Sequence, residues 1–351
     1  MQINITPSHT SRISEVDFFN LAFGREFTDH MLICDCIDGQ WQTPRILPFG
    51  TISFSPGLSA LHYGQSLFEG MKAHKDANGK AWLFRPLDNW RRLNISATRL
   101  CMAEVPEDIF MEGLKKLITM EKAWIPTHDG SALYVRPFLF ATDDCIGVRP
   151  SANYRYMVIC CPVNPIYTIP LRIKAEDKYV RAVEGGVGYA KAAGNYAGAM
   201  LPTREAQEQG FDQIMWLDGR EKKYIEESGT MNLFFLIDGK LITPELSRTI
   251  LDGFTRASII QLAKDNGIVV EERKISIDEI TTLHQEGKLT EAFGTGTAAT
   301  VSHVVAFNYR TVEYPLLPVE ERTVSTLLAK ALNDIKTFKA ADKHGWMVMA
   351  G

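Results

Sequence analysis

The sequence contains no apolar run wide enough for a bilayer; its longest, such as 233–237, are a few residues each, which excludes a membrane-spanning helix. It has no block of like charge and no basic tail. A formal net charge of −4 over 351 residues gives no electrostatic reason to expect nucleic acid or an anionic membrane as partner. Residues 1–20 are polar and mixed in charge, without the apolar core of a secretory signal or the Arg/Ser-rich pattern of a transit peptide, so a cytoplasmic enzyme is expected. Cysteine is sparse. Cys34, Cys36, Cys101, Cys145, Cys160 and Cys161 make no CxxC pair, and the eight histidines show no HxxxH or HExxH spacing. Disulfides are not expected in so large a chain, and buried structural thiols and scattered histidines are favoured over a metal site. There is no Walker A motif and no GxGxxG, so nucleotide readings start weak.

What is present is ordinary globular composition, 45% hydrophobic and 23% charged, at a length that suits two domains. Four turn signals, Asp38-Gly39, Asn78-Gly79, Asp218-Gly219 and Asp238-Gly239, separate apolar or alternating segments in the manner of β-hairpins. Residues 133–140 and 156–161 read as further strands. Helices are predicted over 86–102, over 107–123 behind Pro106, and over 255–265 ahead of Asn266-Gly267. A last helix is predicted where Val324, Leu327, Leu328, Ala331 and Ile335 form an apolar face. Three prolines in the ten residues from Cys161 to Pro170 mark 161–170 as a domain linker. The expectation is a mixed α/β (α+β) protein with hairpin-rich sheets and flanking helices. A smaller N-terminal α/β domain would cover 1–164, and a larger C-terminal domain 171–351.

Four local patterns carry possible chemistry. Gly185-Gly-Val-Gly188 precedes Tyr189-Ala-Lys191-Ala-Ala-Gly194-Asn-Tyr196, and a helix is expected to follow to about Glu208. Small residues around one lysine let a ligand approach closely, and a desolvated lysine serves as nucleophile or base. On the residues alone, a solvated surface lysine is the plainer reading. Glu226-Glu227-Ser-Gly-Thr230 sets two acids before a strand, and on the residues alone a solvated strand end is the plainer reading. Phe293-Gly-Thr-Gly-Thr297-Ala298 offers N–H and hydroxyl donors to an anion. Leu251-Asp-Gly-Phe254-Thr255-Arg256 opens a helix whose first N–H groups favour phosphate.

Their order along the chain resembles the branched-chain aminotransferases, members of the fold-type IV enzymes that use pyridoxal 5′-phosphate (PLP). The matching stretches in the first half are Phe27-Thr-Asp-His-Met-Leu32, His62-Tyr63-Gly-Gln-Ser-Leu-Phe68-Glu-Gly70, Phe84 to Leu93, and Leu133-Tyr134-Val-Arg136-Pro137. The second half adds Lys191 to Tyr196, Glu227 to Phe234, Leu251 to Arg256, and Gly294 to Ala298. The resemblance implies that Lys191 holds the cofactor covalently and shuttles the substrate proton, and that Glu227 keeps the pyridine nitrogen protonated. It implies Tyr196 on the ring hydroxyl, and Thr230 among the cofactor contacts. The phosphate would rest on Arg92, the N–H groups of Phe254 and Thr255, and Thr297. Tyr63, Phe68 and Tyr134 would wall the substrate pocket, with Arg136 reaching the side-chain carboxylate of glutamate. Thr297 and Ala298 would take the α-carboxylate. A homodimer acting on amino acids and 2-oxo acids is implied as well.

Three departures from the family pattern stand out. Ala193-Gly194 replaces Gly-Gly after the lysine. Asp252-Gly-Phe254 replaces a Pro-Gly-Ile/Val stretch, which puts a negative charge near the expected phosphate unless Asp252 caps the helix. Ala299 and Ser302 stand where mammalian relatives carry a redox CxxC, so no thiol switch is expected there. Within the fold, a D-amino acid aminotransferase or an aminodeoxychorismate-type lyase is the alternative, and a non-catalytic PLP-binding protein a more distant one. The Tyr134-Val-Arg136-Pro137 and Gly-Thr-Gly-Thr-Ala elements argue against the first two.

Overall fold

A computed structural model describes residues 1–165 and 169–351. The chain forms two compact units, one of Met1–Ile166, Ala190–Gly194 and Lys336–Gly351, the other of Tyr167–Tyr189 and Asn195–Ile335. The first unit therefore takes in two segments from beyond residue 171, and it is the larger of the two.

A ten-stranded sheet forms the first unit, with Tyr154–Val163 and Ala132–Ala141 paired antiparallel at its centre. Alternate side chains of these strands, such as Leu133, Val135, Val158 and Cys160, bury against Leu93, Ala97, Phe110, Leu114 and Leu117 of the helices Pro86–Arg99 and Glu107–Met120. Asp38 and Gly39 both take positive φ between the strands His30–Ile37 and Gln40–Trp41, as a two-residue hairpin requires. Cys34, Cys36, Cys160 and Cys161 are buried free thiols, whereas Cys101 is exposed. The Pro-rich segment begins later than its composition suggests. Cys161–Val163 complete the strand Tyr154–Val163, where Pro162 lies beyond the stretch paired to His30–Ile37 and so needs no N–H on that side. Residues 166–168 of that predicted linker lie outside the described residues.

A nine-stranded sheet forms the second unit, and part of it closes on itself. Ile225–Ser228 pairs with Gln213–Leu217 on one side and with Met231–Ile237 on the other, and the path returns through Leu171–Glu176, Thr300–Tyr309 and Leu289–Gly296. Leu171, Ile173, Leu233, Phe235, Ala292 and Val304 fill the core against it. Asp218-Gly219 does not make a two-residue hairpin. The Asp218 carboxylate accepts from the N–H groups of Arg220, Glu221, Lys223 and Tyr224 and so organises a longer loop. The helix Ile277–Gln285 was not anticipated, although Ser276 caps it by accepting from the Glu279 N–H at 3.0 Å. No helix among the described residues is long and apolar enough to cross a membrane.

Candidate active site

Lys191 is half-buried and belongs to the first unit, where backbone contacts hold it from two sides. Its carbonyl accepts from the Phe68 N–H at 3.2 Å, and Ala192 bridges Leu67, so the segment extends the edge of the strand Ser66–Phe68. Its N–H donates to Ser96 Oγ at 2.9 Å, and that hydroxyl donates in turn to the Arg92 carbonyl, also at 2.9 Å. Lys191 Nζ lies 4.8 Å from the centre of the Phe68 ring. The lysine that reads as a surface residue from composition alone is thus fixed at the backbone on an aromatic wall.

The same ring carries a second cation. The Arg136 guanidinium stands 4.5 Å from the Phe68 centroid and 5.2 Å from that of Tyr134, and its Nη2 donates to Tyr134 Oη at 2.8 Å. Arg136 Nε is buried with no hydrogen-bond partner among the described residues, so this guanidinium is held in place but not saturated. Gly70 makes the arrangement possible: a Cβ there would lie 2.1 Å from Tyr134 Oη. Tyr63, predicted to wall the substrate pocket, is 42% exposed, and its ring centre lies 6.2 Å from that of His62.

Arg92, predicted to bind phosphate, is buried and forked onto Glu69, with Nε and Nη2 each 2.8 Å from a carboxylate oxygen. Glu69 was not singled out from sequence, although it lies inside the Phe68-Glu-Gly70 stretch. Ser96 was missed too, and its only signal is its place one helical turn after Arg92.

In the second unit, Glu227 lies on the strand Ile225–Ser228 and is buried. It accepts from the Leu251 N–H at 2.6 Å and sits 3.2 Å from Arg181 Nε. Nothing in the sequence marked Arg181. The neighbouring acid, Glu226, is bonded to the Thr249 hydroxyl, and burial pushes its carboxyl up to about 7. Phe254 and Thr255 open the helix Phe254–Asp265. The N-cap is Gly253, not Asp252, and brings no side chain to the first-turn N–H groups. Glycine is required there because a Cβ would lie 2.0 Å from Asn232 Oδ1, whose amide is tied to the Leu251 carbonyl. Thr297 and Ala298 follow the strand Leu289–Gly296 in the turn before Thr300–Tyr309. Tyr196 is half-buried on the helix Ala193–Gly198, and Thr230 is exposed in the turn after Glu227.

These donor sets suit PLP. The helix start with a glycine cap and the adjacent threonine suit a phosphate, Glu227 suits a protonated ring nitrogen, and Lys191 suits an aldehyde. The family model for class IV amino-transferases matches residues 66–307. The chain belongs to the class IV amino-transferase family. Its relatives within that family are branched-chain-specific by name. It is 47% identical to a probable branched-chain-amino-acid aminotransferase of Staphylococcus epidermidis, over 95% of this chain and 94% of the relative. It is 44% identical to branched-chain-amino-acid transaminase 1 of Bacillus subtilis, over 94% of each. Among solved structures, the T.th. branched-chain amino acid aminotransferase with pyridoxamine 5′-phosphate aligns at a TM-score of 0.74 and 27% identity, over 93% of this chain and all of that one.

Proposed function

We propose that this chain transfers the amino group of L-leucine, L-isoleucine or L-valine to 2-oxoglutarate, giving the branched 2-oxo acids and L-glutamate, with PLP as cofactor. The observation that carries this reading is Arg136. An apolar, aromatic wall suits a branched side chain, and one incompletely bonded guanidinium on that wall suits the second carboxylate of glutamate. A pocket that serves both half-reactions needs both features.

Bound PLP supplies an electron sink for the electrons left at the substrate Cα when its proton departs. The residues of this chain supply the rest. Lys191 Nζ would take the proton from the substrate Cα and deliver it across the nitrogen to the cofactor carbon, and Ser96 and Phe68 fix its backbone for that task. Glu227, paired with Arg181, would hold a protonated ring nitrogen. Tyr196 bonds the ring hydroxyl oxygen, with Thr230 among the cofactor contacts. Phosphate would be bound by Arg92, set in its plane by Glu69, by the first-turn N–H groups of Phe254 and Thr255, and by the Thr297 hydroxyl. Thr297 and Ala298 offer N–H groups to the α-carboxylate. The relative that carries pyridoxamine 5′-phosphate supports the cofactor.

We further propose a cytoplasmic homodimer. Leu61, Tyr63, Ile146 and Val148 of the first unit are 42–89% exposed, an apolar set that a second copy would cover. The test of the function is absorbance of the purified protein before and after L-leucine, with no oxo acid present. Conversion of the visible band to the shorter-wavelength pyridoxamine form, absent in Lys191→Ala, is expected. A band consumed by D-alanine and untouched by leucine would overturn the substrate assignment.

A further inference from the structure

We propose that a cavity in the second unit, apart from the residues assigned above, binds a small organic cation: an ammonium, amidinium or guanidinium group on an apolar body, with Glu226 as its counter-ion. The cavity measures about 550 Å³, and its apolar wall includes Val183, Tyr224, Pro244 and Ile250. Neither Glu227 nor Tyr196, Phe254, Thr255 or Thr297 lines it.

Glu226 is its most distinctive wall residue. The side chain is 6% exposed; Oε1 accepts from the Thr249 hydroxyl, and Oε2 is buried with no partner among the described residues. A buried acceptor without a donor is costly, and a ligand donor removes that cost. The other inner acid, Asp218, is already engaged by four backbone N–H groups and offers little to a ligand. Charge at the rim favours a cation, with Glu184, Glu221 and Glu245 set against Arg220 and Lys274. The volume leaves room for an apolar body of several carbons beside the charged head. Burial already holds the Glu226 carboxyl near the edge of ionisation, so an arriving cation would tip it to the carboxylate.

The cavity also reaches the proposed cofactor carboxylate by a short relay. The Thr249 hydroxyl donates to Glu226, the Thr249 carbonyl accepts from Arg181, and Arg181 Nε lies 3.2 Å from Glu227. Occupancy is therefore expected to shift the visible band of the holoenzyme. That readout rests on the role given to Glu227 above, whereas the binding itself does not.

The probe is benzamidine, titrated calorimetrically into the holoenzyme at pH 7.5, with neutral benzamide as its isostere. One saturable site per chain is expected, with affinity about tenfold or more weaker for benzamide and for Glu226→Gln, the scale of a lost charge-assisted hydrogen bond. Val183→Trp, which fills the cavity from an exposed position, should abolish binding while the leucine half-reaction persists. Saturating 2-oxoglutarate should leave binding unchanged. No saturable binding, equal binding to Glu226→Gln, or displacement by 2-oxoglutarate would each overturn the inference. An intact leucine half-reaction in those samples would confine the failure to this cavity. Benzamidine binding without a half-reaction would instead sink the functional reading alone.

Discussion

Replacing Arg136 with methionine should separate the two half-reactions. The substitution keeps an unbranched apolar stem against Phe68 and Tyr134 and removes only the guanidinium, so packing changes little. Among the described residues the guanidinium bonds Tyr134 Oη at 2.8 Å, and its buried Nε has no partner. A carboxylate placed on it gains at least one charge-assisted hydrogen bond, about 1.5–3 kcal/mol. The upper figure corresponds to roughly a hundredfold in kcat/KM. Single-turnover kinetics with L-glutamate should therefore slow by about that factor in the variant, while L-leucine, which brings no second carboxylate, stays within about threefold. Tyr134→Phe should move glutamate in the same direction by less, because it only releases the guanidinium from one contact. An equal loss with both donors would refute the reasoning and make Arg136 a residue of the cofactor or of the fold.

Other consequences are as specific. Gly70→Ala would set a Cβ 2.1 Å from Tyr134 Oη and 2.9 Å from its Cζ, so it should lose about 1–3 kcal/mol in denaturant titration. The same change in a Tyr134→Ala background should cost much less, and an equal cost there would contradict the contact. Ser96→Ala leaves the Lys191 N–H without its acceptor; it should lower kcat for the leucine half-reaction with the cofactor still bound, and wild-type kinetics would dismiss the positioning role. Lys336 is buried against Phe84, and burial with Lys72 nearby pushes its ammonium down to about 7. A folded value below the unfolded one means stability that is full above about pH 10.4 and lost as pH falls toward 7. Lys336→Met should thus gain up to several kcal/mol over the parent at pH 7 and little at pH 10, read from urea midpoints, and a gain that shrinks as pH falls would refute the assignment.

The local elements were legible because they rest on local physics. Apolar spacing and end signals mark Pro86–Arg99, Glu107–Met120 and Phe254–Asp265 to within a few residues, and the Asp238-Gly239 turn declares its hairpin. At Asp218-Gly219 the hairpin between Gln213–Leu217 and Ile225–Ser228 is present, but its loop is longer because a carboxylate collects four N–H groups. The same signals misled at Pro162, which sits in a strand because pairing on one side has already ended. The family and the activity were legible from motif order, since the chemistry needs a lysine, an acid and anion-binding turns in sequence. Composition around Lys191 did not distinguish a catalytic lysine from a solvated one.

Only tertiary structure could decide the rest, because the deciding contacts join residues far apart in the chain. Ser96 meets Lys191 across 95 positions, Glu69 meets Arg92 across 23, and Arg181 reaches Glu227 across 46. No periodicity records such pairings. The sequence by itself determined which side chains the chemistry has available. The closed path of strands around Ile225–Ser228 and the return of Ala190–Gly194 to the first unit decided which of them are held in place, and by what. Ring closure and non-local pairing are properties of the whole folded chain, so their energetics favour partners that local propensity cannot name.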